Sequence, residues 1–268
     1  MNFFADCTAL ITGASSGLGE EFARQLAPWA RSLILVARRQ DRLESLRGQL
    51  LEAHPSLQVL IRQADLEVEA ERVALSAWIA AHAPGVDILI NNAGRGDHGE
   101  FASGDWGRVR AMLDINIGVL THLALLLLPH LEKSRRAAIL NVSSVAGFFP
   151  LPGMAVYSAT KAYVTAFSEA LGMELGSRGI SVTALCPGPI PTEFFVIAER
   201  EEGRVPHYQT MPVFVVTPQE AVRAGLRAVA AGRARVVPGP VLAVAVGVAL
   251  LIPFAITRWV LKNFAPKL

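Results

Sequence analysis

Residues Thr8 to Gly19 leave few folds open to this chain. Thr8-Ala-Leu-Ile-Thr12 is a short apolar run, and Gly13-Ala-Ser-Ser-Gly17-Leu-Gly19 follows it directly, before helix-forming residues to Ala27. A strand, a glycine-rich turn and a helix start bring backbone N–H groups and the positive helix end to one point, where a pyrophosphate would be held. The spacing is G-x-x-x-G-x-G rather than the general G-x-G-x-x-G motif. Taken alone, such a turn is as often an ordinary loop.

The pattern that begins there repeats. Apolar runs at Leu33–Ala37, Leu57–Ile61, Val86–Ile90, Ala137–Val142, Ile180–Leu185 and Arg235–Val237 alternate with helical stretches. Unbroken alternation predicts one α/β domain, a Rossmann-like doubly wound parallel sheet of about seven strands with helices on both faces. Length alone, at 268 residues, would allow two domains. With 52% hydrophobic and 18% charged residues, the chain can bury a large core. A formal net charge of +2 and no basic stripe interleaved with aromatics argue against nucleic acid. Cys7 and Cys186 fall in or beside strands and read as reduced core residues with no metal spacing. The first strand starts within about ten residues, so no signal peptide is expected and the catalytic domain is placed in the cytoplasm.

A second informative stretch is Ser144 to Lys161. Ser144 stands at the end of an apolar strand, and Tyr157-x-x-x-Lys161 spans about one helical turn, which puts phenol and ammonium on one face. A nearby ammonium favours phenolate and is expected to lower the tyrosine pKa. A lone YxxxK is more often a solvated helix face.

Taken together, the chain resembles the short-chain dehydrogenase/reductase family from about Asp6 to Pro238. TGASSGLG at Thr12–Gly19, Asp65, NNAG at Asn91–Gly94, Asn116, Ser144, Tyr157, Lys161 and PGPIPT at Pro187–Thr192 stand in the family's order. The resemblance implies a catalytic set of Asn116, Ser144, Tyr157 and Lys161, with Ser143 facing away. It also implies a cofactor cradle of Gly13, Ser15, Ser16, Gly17, Leu18 and Gly19, continued by Asp65 and Leu66 at the adenine. Asn92, Ala93 and Gly94 would border the adenosine ribose, Asn91 being mainly structural. Tyr157 and Lys161 would meet the nicotinamide half, with Pro187, Gly188, Ile190 and Thr192 beyond them. Asn116, inside one long helix expected from Asp105 to Lys133, would bend that helix and hold a water for proton resupply.

The second strand ends in Arg38-Arg39. An acid there suits the ribose 2′-hydroxyl of NAD(H), whereas arginine suits a 2′-phosphate, so NADP(H) is the expected cofactor, with Arg38 leading and Arg39 helping. Both could instead be solvated residues opening the helix Gln40–Ala53. Asp65, likewise, could simply cap a helix from Glu67 to His82. The expected reaction is hydride transfer between NADP(H) and a carbonyl or secondary alcohol, reducing a hydrophobic ketone, with no metal. The alternatives are an NAD-dependent alcohol dehydrogenase and, in another class, a non-catalytic dinucleotide-binding sensor or scaffold. The intact Asn-Ser-Tyr-Lys set argues against the last.

Residues 194–218 should form a substrate lid, apolar and aromatic through Phe194, Phe195, Tyr208, Met211 and Phe214. On the helix Met154–Arg178, Val164, Phe167 and Leu171 suggest packing against a partner subunit in a homo-oligomer. The catalytic domain would end at 238, leaving 239–268 as a hydrophobic extension. Within it Val241–Ile256 is apolar without a break, though Pro253 interrupts it, and Arg258, Trp259, Lys262 and Lys267 follow. Three burials are open to it: packing on protein, membrane-surface attachment through residues 241–262, and a span. At ~1.5 Å per residue the run is short of a ~30 Å hydrocarbon core, which disfavours the span.

Overall fold

The computed structural model describes residues 2–83, 85–200 and 214–264. Seven strands, β1 (Thr8–Thr12), β2 (Ser32–Ala37), β3 (Gln58–Gln63), β4 (Ile88–Asn91), β5 (Ala138–Val142), β6 (Ser181–Leu185) and β7 (Arg235–Val236), form one sheet in the order β3-β2-β1-β4-β5-β6-β7. Every pairing is parallel. The central strands are apolar and buried on both faces because helices cover both sides.

On one face pack α1 (Gly17–Leu26), α2 (Gln40–Ala53) and α8 (Pro218–Ala230), through Phe22, Leu26, Leu43, Leu46, Val222 and Leu226. The other face carries α3 (Glu69–His82), α5 (Leu120–Leu131) and α6 (Ala155–Leu175), with Leu75, Ile79, Leu123, Leu127 and Leu175 in its core. Between these helices in sequence lie α4 (Trp106–Leu113) before α5, and α7 (Glu193–Ala198) after β6. The chain order reverses between β1 and β4, so the crevice over their carboxyl ends is where such a sheet receives a ligand.

Several local expectations shift. The long helix expected from Asp105 is α4 and α5 joined by a π-helical turn, Asp114–Val119, which holds Asn116. Asp105 caps α4 by accepting from Arg108 N. α3 begins at Glu69, and Asp65 closes an Asx turn to Glu67 N instead of capping the helix. Val164 is fully buried within its own chain, while Phe167 and Leu171 are half-buried against the core beneath α6. Tyr163 and Met173 on the same helix face further outward.

The apolar run after β7 folds as two helices, α9 (Pro240–Leu251) and α10 (Phe254–Phe264), bent by 116° at Pro253. Of α9, only Leu242 and Val246 are buried, so the run is not packed into the body of its own chain.

Candidate active site

The glycine turn is shaped by backbone conformations that side chains resist. Gly13 and Gly17 have φ of +64° and +56°, and a Cβ on Gly19 would lie 2.2 Å from Gly13 O. Ser16, at the N-cap of α1, makes no side-chain bond to the helix. The first turn of α1 thus keeps its N–H groups for an anion. Leu18 points away, into a small cluster with Ile190, Val216 and Ala221. Thr192 lies over Gly17, 3.4 Å from where its Cβ would be, and Thr192 Oγ1 donates to Ile190 O. A cradle that closes when methyl groups are added fits a pyrophosphate-bearing dinucleotide.

The turn is clamped from the neighbouring strand. Asn92 N and Ala93 N both donate to Thr12 Oγ1 at 3.0 Å, and Asn92 Nδ2 donates to Thr12 O. Asn91 looks the other way and donates to Asn141 Oδ1 inside the core. Gly94 stands beside the catalytic candidates: its Cβ would meet Asn116 Oδ1 at 3.0 Å and Lys161 Nζ at 3.7 Å.

The two arginines part company. Arg39 reaches the glycine turn, donating to Ser15 Oγ at 3.2 Å and Ser16 Oγ at 2.8 Å, while its other edge pairs with Glu193. Arg38 points elsewhere and sits 3.7 Å from the Glu67 carboxylate. The residue expected to help is the one placed on the turn. Glu193, unmarked by any motif, also pairs with Arg42 at 2.6 Å. Asp65 and Leu66 follow β3 at the same end of the sheet, Leu66 buried in the core.

Ser144, Tyr157 and Lys161 meet at the carboxyl end of β5. Ser144 caps a short 3₁₀ turn (Val145–Phe148) by accepting from Ala146 N, and Pro187 O lies 3.5 Å from its hydroxyl. Gly147 lets that turn touch α6, since a Cβ there would come within 2.6 Å of the Lys161 backbone. Ser143 turns away and bonds Lys161 O and Thr165 Oγ1. Lys161 Nζ donates to Val142 O at 2.9 Å and lies 5.7 Å from the Tyr157 ring centre.

Burial governs the electrostatics here. It pushes the Lys161 ammonium down to about 8 and the Tyr157 phenol up to about 12, the Ser144 hydroxyl offsetting the latter in part. The expectation of a lowered tyrosine is reversed, because desolvation of the phenolate outweighs the opposing hydrogen bond from Ser144. At neutral pH the phenol keeps its proton.

Asn116 is fixed from both sides by one residue, accepting from Arg95 N and donating to Arg95 O, each at 2.9 Å. It also donates to Thr160 Oγ1, whose hydroxyl donates to Tyr157 O. Thr160 was missed as a site residue, although its position between Tyr157 and Lys161 was a usable signal. Around the phenol gather Met112, Leu151, Met154 and Phe194, with the Phe194 ring 5.9 Å from that of Tyr157. Phe194 opens the expected lid; Tyr208 and Met211 lie outside the described residues, and nothing is described of the Phe195 side chain. At the end of α7, Arg200 bonds Asp97 and His98 bonds Glu199, tying this segment to the loop after β4.

A family model described as short chain dehydrogenase matches residues 7–203. Sulfoacetaldehyde reductase 2 of Chromohalobacter salexigens is 38% identical over 195 residues, 70% of this chain and 74% of that protein. A short-chain dehydrogenase from Sphingobium yanoikuyae, solved with NADPH, is 33% identical, with 98% of each chain covered and a TM-score of 0.79. The 3-ketoacyl-(acyl-carrier-protein) reductase of Brucella melitensis, solved with NADH, is 26% identical over 88% of this chain and 98% of that one, with a TM-score of 0.76.

Proposed function

Because the chain belongs to the short-chain dehydrogenase/reductase family, we propose that it transfers hydride between NADP(H) and a carbonyl or secondary alcohol, and that it reduces hydrophobic ketones. The observation that carries this reading is the meeting of Ser144, Tyr157 and Lys161 in one buried corner over the crevice.

When bound, reduced NADP supplies the hydride. The other requirements of the reaction fall to side chains of this protein. Ser144 donates a hydrogen bond to the substrate carbonyl, which orients it and draws charge to its oxygen. Tyr157 gives its proton to that oxygen as negative charge develops, leaving an alcohol and a phenolate. Lys161, still largely protonated at neutral pH, stabilises that phenolate and offers its remaining donors to the nicotinamide ribose. Asn116, in the π-helical turn, holds a water through which Tyr157 regains its proton.

The glycine turn and the start of α1 would hold the pyrophosphate, and Asp65 the adenine. Arg39 would meet the 2′-phosphate, and its place on the glycine turn supports NADP(H) over NAD(H). The apolar residues around Tyr157 support a hydrophobic substrate.

The test is a matrix of ketones and alcohols of graded size against both cofactors. NADPH-dependent reduction that strengthens with apolar bulk is expected. Equal use of the two cofactors would overturn the NADP(H) assignment, and a preference for small polar carbonyls would overturn the substrate class.

A further inference from the structure

Among the described residues, the helices α9 and α10 carry a continuous run of exposed large apolar side chains. Val244, Leu251, Phe254 and Trp259 are 67%, 84%, 66% and 60% exposed. Isolated apolar residues on a surface need no explanation, but a continuous patch on two successive helices does. We propose that this pair is a monotopic anchor, with α9 inserted into one leaflet of an anionic membrane and α10 lying at its headgroups.

Three observations select a lipid leaflet over a protein partner. First, α9 reads PVLAVAVGVALL and has no polar side chain on any face. A second copy of the chain would cover one side of such a helix and leave others wet, whereas lipid covers every face that Leu242 and Val246 do not seat on the body. Second, the length fits. Twelve residues make a helix of about 18 Å, which, with its first turns seated on the body, can enter one ~15 Å leaflet but falls far short of the whole hydrocarbon core. The 116° bend at Pro253 then turns α10 back toward the surface instead of across.

Third, the charge is of one sign. No Asp or Glu follows Glu220 in the sequence. On α10, Arg258 and Lys262 are four residues apart and make one exposed basic stripe, while Ile256 and Val260 lie on the opposite side. Basic residues beside an exposed Trp259 are the composition of a helix seated at an anionic interface.

The anchor is attached firmly to the enzyme. Gly239 turns the chain out of β7 with φ of +86°, and Leu242 and Val246 hold the first turns of α9 on the body. Leu242 packs where a side chain on Gly188 would be, with Cδ2 2.5 Å from that Cβ position. This inference does not depend on the proposed reaction.

The experiment is flotation of the full-length protein with vesicles of phosphatidylcholine alone and of phosphatidylcholine with phosphatidylserine, alongside solution mass measurement. The parent should float with the phosphatidylserine vesicles. Arg258→Glu with Lys262→Glu should lower the bound fraction on those vesicles at least tenfold. Val244→Asp with Leu251→Asp should abolish binding to the phosphatidylserine vesicles while NADPH binding, read by fluorescence, is retained. A parent that floats with neither vesicle overturns the proposal. So does a Val244→Asp/Leu251→Asp protein that floats like the parent, or one whose only change is a smaller oligomer, which would assign the helices to a subunit interface.

Discussion

Lys161 Nζ donates to the carbonyl oxygen of Val142 at 2.9 Å, tying the helix that carries Tyr157 to the strand that leads into Ser144. A buried ammonium with that bond is costly to keep charged, and its pKa falls from 10.5 to about 8. The unfolded chain therefore holds more protons between pH 8 and 10.5, and stability should rise with pH across that window. The penalty is fully present below pH 8 and gone above 10.5. The thiols of Cys7 and Cys186, raised by burial from 9.0 to about 12 and about 11, act in the opposite sense above pH 9.

The clear interval is thus pH 8 to 9. The Tm difference between Lys161→Met and the parent, without cofactor, should shift in the parent's favour as pH rises through it. A difference that stays constant would mean the lysine is not titrating there.

Tyr157→Phe removes the proton donor together with the phenol's hydrogen bond to Ser144, and keeps the ring that packs in the site. Turnover should fall by roughly 10²–10⁴-fold while the NADPH dissociation constant changes little. Near-normal turnover in the purified variant would remove Tyr157 from the mechanism.

Arg39, seated on Ser15 and Ser16, should matter more than Arg38. Arg39→Ala is expected to raise KM for NADPH about tenfold or more, in line with a lost charge-assisted bond, and to leave NADH unchanged. Arg38→Ala should do less. Because Glu193 holds the other edge of Arg39, Glu193→Gln should free the guanidinium and tighten NADPH. Steady-state kinetics with both cofactors separate these outcomes, and an effect of equal size on NADH would place Arg39 away from the 2′-phosphate.

Gly147→Ala would bring a methyl within 2.6 Å of the Lys161 backbone. The turn after Ser144 must then lift from α6, at a cost of about 1–3 kcal/mol in stability. A displacement of the serine near 1 Å should lower kcat on the order of 10²-fold. NADPH affinity should survive, since the glycine turn is untouched. A variant with parental kcat would show that the close packing of this turn does not position Ser144.

Much of this was readable because it is local. A strand, a glycine turn and a helix start are specified by neighbours in sequence, as is the four-residue step from Tyr157 to Lys161. Asn116 was identifiable, but its π-helical setting was not, since i→i+5 bonding has no compositional mark. Which of Arg38 and Arg39 faces the turn depends on how the chain leaves β2, a matter of one residue's rotation. The sign of the Tyr157 shift depended on how deeply tertiary packing buries the phenol. The role of Glu193 was invisible because its partners, Arg39 and Arg42, are some 150 positions away. Val164 reads as outward-facing in the sequence because its polar neighbours on α6, Thr160, Lys161, Thr165 and Ser168, are themselves buried and so do not mark the solvent side.

Leu242 is at once a buried residue of α9 and the side chain that fills the space over Gly188. With α9 in a leaflet, the loop from Pro187 to Thr192 stands at the lipid boundary. A ketone dissolved in the bilayer would then reach the enzyme by lateral diffusion, and its supply would be set by partition rather than by its aqueous concentration. Rates with a lipid-soluble ketone should follow moles of substrate per mole of lipid. Adding empty vesicles should dilute it in two dimensions and slow the reaction, while a ketone that stays in water is turned over at an unchanged rate.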